Sequence, residues 1–472
     1  MITAVQKAEA VSLAAKCLLC KKDFFYFVQQ FWNIVIPEAP VYNWHIPYLC
    51  KQLQEIAVKV KAREAKDTDL IVNIPPGTSK STICTVMFPA WCWAIDPTLR
   101  VMTASYSASL STDHATKSRD IIRSDLYRKL FPEIETKADQ DNKTHYKNTK
   151  GGERYATSVT GTITGFHAHI IIVDDPLNPK EAASEADRLT ANSFMDVTLS
   201  TRKVNKSVTP TILIMQRLHQ KDCTGNWLDK EGKKITHICL PGEISKDVKP
   251  VELREHYNNG LLDNDRLTSN DLAELKINLG SYGFAGQIQQ IPSPEDGGIW
   301  QRPWIIPVPD SDFPKELAQN GTDWDLAYTE KELNSASAYV TAGKVGNSMY
   351  IDDLGFTWAE FPKLMDYMKA RTAPHYIEAK ASGKSAKQTL TNQGVPAIEV
   401  NVSGGDKVAR AQMATPYAES GLVYCRQSVI NKLLDDSRQG ILVFPNGEHD
   451  DLQDALVQAI NRLLGKKPFV LA

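Results

Sequence analysis

At 472 residues, with 42% apolar and 23% charged side chains, the chain has ordinary globular composition and more length than one hydrophobic core usually serves, so two domains are expected. A net charge of −2 is silent about nucleic acid, because a DNA-binding face can be offset by acidic surface elsewhere. No apolar run approaches the roughly 20 residues of a membrane span and the first residues lack a basic, apolar, small-residue export pattern, so a soluble, intracellular protein is expected. The eight dispersed cysteines read as reduced core thiols, and the lone Cys17-Leu18-Leu19-Cys20 reads as a helix burying small side chains.

Tyr42-Asn43-Trp44-His45 is an aromatic cluster ahead of an amphipathic helical stretch, 46–60. Leu70 to Ile74 is a short β-branched run ended by Pro75-Pro76-Gly77, and Lys80-Ser81-Thr82 opens an apolar helical stretch through Trp93. Strand, turn and helix in that order suit phosphate, since backbone N–H groups and the positive helix terminus face the anion. Gly77, Thr78, Ser79, Lys80, Ser81 and Thr82 are therefore the candidate nucleotide-binding loop, with Lys80 on the β/γ-phosphates, Ser81 on magnesium and Thr82 as a second hydroxyl. Ile74 and Ser79 stand where the usual loop has glycines, and taken alone the segment reads equally well as a lysine in an ordinary strand-to-helix connection.

The run Ile170-Ile171-Ile172-Val173-Asp174-Asp175 is too uniformly apolar for a surface strand and reads as a buried parallel one ending in two carboxylates. Ligands gather at such C-terminal strand ends, so Asp174 is expected to hold magnesium and Asp175 to orient the attacking water. Further strands at 100–104, 211–215 and 235–238, alternating with helical stretches at 106–122 and 181–199, predict a doubly wound, mainly parallel α/β sheet. Gln216-Arg217-Leu218-His219 follows one of these strands, placed either to sense a γ-phosphate or as plain polar surface.

The Pro- and Gly-rich stretch 291–309 has linker composition. Domains are expected at 1–295, with an N-terminal helical segment, and at 315–472, joined by a linker at 296–314. In the second, strands over 338–345 and 348–352 flank a Gly346-Asn347 turn, a helix follows over 358–371, and another strand ends in Glu378. Asp323 or Asp325, Glu378, and the stretch His449-Asp450-Asp451 to Asp454 are scattered carboxylates of the kind a two-metal nuclease needs, because two ions about 4 Å apart must flank the scissile phosphate. Asp451 and Asp454 share a helix face, while Asp450 or Asp451 also suits an N-cap. Lys407 and Arg410 are candidate DNA contacts or members of a solvated helix face.

Pro75 to Thr82, Thr164-Gly165, Ile171 to Pro176, Thr201-Arg202, Ile214 to His219 and Gly283-Phe284-Ala285-Gly286-Gln287-Ile288-Gln289-Gln290-Ile291-Pro292 occur in an order that resembles the large terminase subunits of tailed bacteriophages. The resemblance implies a P-loop packaging ATPase followed by an RNase H-like α/β nuclease domain, using ATP and Mg²⁺, with Mn²⁺ as a substitute in the nuclease site. Asp175 then serves ATP hydrolysis, Asp174 and Ser81 hold the nucleotide's metal, and Asp325, Glu378 and Asp451, with Asp454 beside them, form the nuclease metal set. Trp324-Asp325-Leu326-Ala327 resembles the family's first nuclease motif, which favours Asp325 over Asp323. Double-stranded DNA, the terminase small subunit, the portal protein of the procapsid and further copies of the chain are the implied partners, in the host cell cytoplasm and outside the mature virion.

Two departures stand out. Relatives often carry an arginine inside the phosphate loop, where this chain has Gly77 and Thr78, and a Glu where this chain has Asp175. Arg154, Arg202, Arg217 or a neighbouring subunit is then left to supply the transition-state charge. The resemblance also offers the Tyr42–His45 cluster as a contact for adenine, the alternative being an aromatic cluster that packs into the core ahead of a helix. A repair-type helicase fused to a nuclease is the alternative function, and strand separation distinguishes it from a packaging motor.

Overall fold

The computed structural model describes residues 4–163, 165–292, 299–326, 336–379, 381–400, 407–435, 440–444 and 450–465. Thr164, Ala327, Lys380, Gly404, Gly405, Asp406, His449, the start of the expected linker (296–298) and residues 466–472 lie outside them. Two compact units emerge, one of Met1–Leu275 with Gly283–Ser293 and the other of Lys276–Tyr282 with Pro294–Ala472.

The first unit is built on an eight-stranded sheet of β1 (Asp69–Asn73), β2 (Arg100–Ser105), β3 (Thr136–Asp141), β4 (His145–Asn148), β5 (Glu153–Ser158), β6 (Ile170–Asp174), β7 (Thr211–Met215) and β8 (Ile235–Cys239). Their order is β3-β4-β5-β2-β6-β7-β1-β8, parallel from β5 to β8, with an antiparallel meander at the β3 edge. Every residue of β1, β6 and β7 is buried. Parallel central strands are covered on both faces, so their sequences are continuous apolar runs instead of alternating ones. The spatial order β6-β7-β1 brings together the C-terminal ends of three strands that are far apart in the chain.

The helix expected after Lys80 starts as a π-helical turn, Thr82–Met87, and continues as the α-helix Phe88–Ile95. Its Trp91 indole donates to the Cys20 carbonyl, which docks the N-terminal helices Ala4–Lys22 and Phe24–Val35 against it. Cys20 is buried there, and all eight cysteines are free thiols. The stretch 181–199, expected to be one helix, begins only at Glu185, capped by the Ser184 hydroxyl, and passes into a π-helical turn at Phe194.

The second unit has a seven-stranded sheet of β9 (Ile305–Val308), β10 (Ala318–Asp325), β11 (Ser337–Val345), β12 (Ser348–Thr357), β13 (His375–Glu378), β14 (Ala397–Val400) and β15 (Val423–Arg426). Its order is β14-β13-β10-β11-β12-β15-β9. β10, β11 and β12 form an antiparallel meander, and β13, β14, β15 and β9 each add in parallel. β9 falls within the stretch expected as linker. Ile305 pairs in register with Val423 and is buried, so local Pro content did not prevent an edge strand, where a missing N–H is tolerated. The helix Asp451–Leu464 lies on β10 and β11 and sends Leu452, Leu456 and Ile460 into the core. Its apolar residues recur at three- and four-residue spacing, which gives one buried face.

Candidate nucleotide and nuclease sites

The loop after β1 carries two left-handed residues, Gly77 (φ +79°) and Ser79 (φ +64°). Ser79 thus adopts the conformation that makes glycine the usual occupant of its position. Lys80 is buried, with Nζ 3.4 Å from the Ile74 carbonyl and 3.6 Å from Asp175 Oδ2. Ser81 Oγ donates to Asp174 Oδ1 at 3.0 Å and Thr85 Oγ1 donates to Asp174 Oδ2 at 2.7 Å. Asp174 is fully buried, which raises its pKa, while Thr85, Lys80 and Ser81 pull the other way and favour the carboxylate. Asp175, also left-handed (φ +45°), accepts the Gln216 amide N–H on Oδ1 at 3.3 Å. Thus Lys80, Ser81, Asp174 and Asp175, four of the residues singled out in the sequence, converge at the shared strand ends, while Thr82 begins the helical turn behind them. The Asp174 carboxylate and the two hydroxyls that donate to it are hard oxygens, which suits Mg²⁺.

Gln216–His219 serves as a brace. Arg217 Nε donates to both Asp222 carboxylate oxygens, at 3.0 and 3.1 Å, and its amide donates to Gln290 Oε1 at 3.0 Å. Gly286 sits so close to Arg217 that a Cβ would lie 3.0 Å from the Arg217 carbonyl, which ties the 283–292 segment to this loop. Arg154 is fully buried, donating to Thr103 Oγ1 and to the Thr85 carbonyl, so neither Arg154 nor Arg217 presents a free fork. His114, overlooked in the sequence, places Nδ1 3.6 Å from Asp174 Oδ2.

The Tyr42–His45 cluster reaches the loop through His45. His45 Nε2 is 3.0 Å from the Thr78 carbonyl, and burial drops the His45 pKa to about 4, so the ring is neutral and Nε2 carries the proton. Trp44 donates to the Leu262 carbonyl at 3.2 Å and stacks on His256 with centroids 5.1 Å apart, so one of its faces is already covered. Arg266 was also missed. Its Nη1 donates to Ser79 Oγ at 2.7 Å across 187 positions of sequence.

In the second unit, Asp325 ends β10, Glu378 ends β13, and Asp451 opens the helix that also carries Asp454. Asp323 is engaged elsewhere. Fully buried, it accepts from Arg462 Nε at 2.9 Å, from Arg462 Nη2 at 2.6 Å and from Gln458 at 3.3 Å. Burial pushes its carboxyl up to about 6 against the pull of Arg462, which leaves it ionised and paired at neutral pH. Asp450 occupies the N-cap position without a capping hydrogen bond and instead pairs with Lys407 at 2.6 Å. Lys407 also reaches Asp454 Oδ2 at 3.0 Å, and Arg410 lies 3.4 Å from Asp454 Oδ1 and 3.8 Å from Glu378 Oε1. Lys407 and Arg410 therefore face the carboxylates, Arg410 only 12% exposed and Lys407 still 38% exposed. Burial disfavours the Lys407 charge, yet Asp454 and Asp450 outweigh it and raise its pKa. Among the described residues no three His, Cys, Asp or Glu side chains are grouped so as to hold a metal ion. Gly383 was missed as well: its backbone packs so tightly behind Glu378 that a Cβ would stand 2.0 Å from the Glu378 carbonyl.

The chain thus joins a mainly parallel sheet, with a lysine loop opposite two strand-end carboxylates, to a sheet built on an antiparallel meander extended by parallel strands. Residues 335–463 match the family described as the Terminase RNaseH-like domain. The large terminase of a thermophilic bacteriophage, in one of its crystal forms, has 12% identity and a TM-score of 0.50, over 88% of this chain and 99% of that one. The complex of that terminase with ADP gives 11% identity and a TM-score of 0.49 over the same shares, and the bacteriophage HK97 large terminase 12% and 0.37 over 91% and 97%. No curated protein matches the chain. Residues 335–463 of the second unit are thus similar to a terminase RNase H-like domain, and the fold of the chain is similar to that of a phage large terminase. Among the described residues no helix is long and apolar enough to cross a membrane.

Proposed function

We propose that the chain hydrolyses ATP at the loop 77–82 to translocate double-stranded viral DNA into a procapsid, and cuts concatemeric DNA with its C-terminal unit. The observation that carries the first half is the convergence of Lys80, Ser81, Asp174 and Asp175 at the C-terminal ends of neighbouring strands. Ser81 and Asp174 would hold Mg²⁺, whose charge neutralises phosphate oxygens when it is bound. Lys80, now resting on the Ile74 carbonyl and Asp175, has the length and charge to take a phosphate oxygen instead. Asp175, anchored by the Gln216 amide, orients the attacking water and accepts its hydrogen bond.

Cutting is assigned to Asp325, Glu378 and Asp451, with Asp454 beside them, carboxylates contributed by two strand ends and one helix. An all-oxygen set suits Mg²⁺ or Mn²⁺. In the described geometry Glu378, Asp450 and Asp454 face Arg410 and Lys407. The family architecture supports double-stranded DNA, a terminase small subunit, the portal protein and further copies of the chain as partners, with the work done in the host cytoplasm and the protein absent from the mature virion.

ATPase activity and plasmid cleavage measured on one preparation of the full chain test the reading. Lys80→Ala abolishes ATP turnover and leaves metal-supplied nicking in place. Undiminished ATP turnover in that variant overturns the ATPase assignment, and absence of cleavage with every divalent cation overturns the nuclease assignment.

A further inference from the structure

Resting on the nucleotide-binding reading above, we infer that Arg266 is a further nucleotide-contacting residue, which offers its guanidinium to the phosphates held by the loop 77–82. Three features of the first unit carry this. Ser79 replaces a glycine in a left-handed conformation, and its hydroxyl is held by Arg266 Nη1 at 2.7 Å. The guanidinium is oriented in advance: Nε donates to Asp263 Oδ2 at 2.8 Å, and the fully buried Asp263 is itself fixed by the backbone N–H groups of Asp265 at 3.1 Å and Arg266 at 3.2 Å. The remaining nitrogen, Nη2, is buried and has no hydrogen-bond partner among the described residues.

An unpaired buried guanidinium N–H is costly, and the cost is larger than for a neutral group. Asp263 and Ser79 account for Nε and Nη1, so Nη2, the neighbour of the nitrogen that holds the phosphate loop, is the one left without an acceptor. A phosphate oxygen is such an acceptor, and a planar fork with one nitrogen on the loop and the next on the anion is geometry that arginine supplies and lysine does not. Arg154 and Arg217 are committed to other partners, and Lys80 is the other cation at the loop. Arg266 thus brings the charge from the far end of the unit's sequence, in the same chain.

The competing explanation is mechanical, with Arg266 merely propping Ser79 in its left-handed conformation. Glycine at position 79 needs no prop. Binding of a fluorescent ATP analogue to the full chain is measured for R266A, R266Q, R266K, S79G and the S79G/R266A pair, with thermal unfolding without nucleotide as the check on folding. R266A and R266Q weaken binding by roughly tenfold or more, R266K recovers only part of this, and the loss persists in the S79G background. Full recovery of affinity in S79G/R266A overturns the inference, because Arg266 then acts only through Ser79. Unchanged affinity in R266Q, the variant that keeps a hydrogen-bonding side chain should R266A not fold, overturns it too. Failure of the unaltered protein to bind the analogue, or binding indifferent to K80A, strikes the nucleotide reading itself and is told apart by those two controls.

Discussion

Replacing Asp323 by Asn removes the charge that Arg462 is buried against while leaving a side chain of the same shape. The Asp323 side chain has no exposed surface and the Arg462 side chain is 11% exposed, so solvent does little to screen the pair or to take over its role. Breaking such a pair by neutralising one partner typically costs about 3–5 kcal/mol. Arg462 keeps hydrogen bonds to the Gln319 carbonyl at 2.8 Å and the Ala342 carbonyl at 3.2 Å, which places the expected loss near the lower end, about 3 kcal/mol. That is on the order of a hundredfold in the folded-to-unfolded ratio. Urea unfolding of the full chain, read on the transition of the second unit, measures it. Asp325→Asn, two residues along the same strand, should change that transition by less than about 1 kcal/mol and abolish DNA cleavage. D323N assayed where it is folded should retain cleavage within a few-fold. A D323N protein of undiminished stability and no cleavage refutes the assignment, since Asp323 would then be working on DNA and not on Arg462.

The buried neutral histidines give a pH dependence of known sign. His45 in the first unit and His375 in the second both titrate at about 4 because burial penalises the imidazolium, whereas an unfolded histidine titrates near 6.5. Between these values the unfolded chain binds more protons, so the stabilisation is complete above pH ~6.5 and is lost as pH falls toward ~4, at up to about 1.4 kcal/mol per pH unit for each histidine. Urea midpoints of both units followed from pH 7 to pH 5 should fall, and H45Q and H375Q should each flatten the decline in their own unit. Gly383→Ala should displace the end of β13, since its new Cβ would need to occupy space 2.0 Å from the Glu378 carbonyl, and cleavage should be lost while ATP turnover persists. Equal loss of both activities in G383A would point to global unfolding instead. DNA affinity should fall steeply with added salt if lysines and arginines neutralise backbone phosphates, and a flat log–log profile would exclude that footprint.

Local sequence was enough for the elements whose own physics is decisive. The Leu70–Ile74 strand, the Pro-Pro-Gly break and the helix after Lys80 are short-range, as is the all-apolar β6, which only a strand covered on both faces tolerates. Their order along the chain also carries the parallel sheet, because a strand-helix-strand repeat closes in one hand. Alternation could not separate Asp323 from Asp325, since residues two apart on a strand share a face. Only the helix Asp451–Leu464, packed across β10, brings Arg462 to one of them and not to the other. The same holds for Arg266, which meets Ser79 across 187 positions, and for Lys407 and Arg410, whose sequence surroundings suit a solvated helix face but whose charges meet Asp450, Asp454 and Glu378. Periodicity and turn chemistry are properties of neighbouring residues, and a chain states them outright. The partner of a buried charge is set by which distant segment the core packs against it, and that is settled only when the chain has folded.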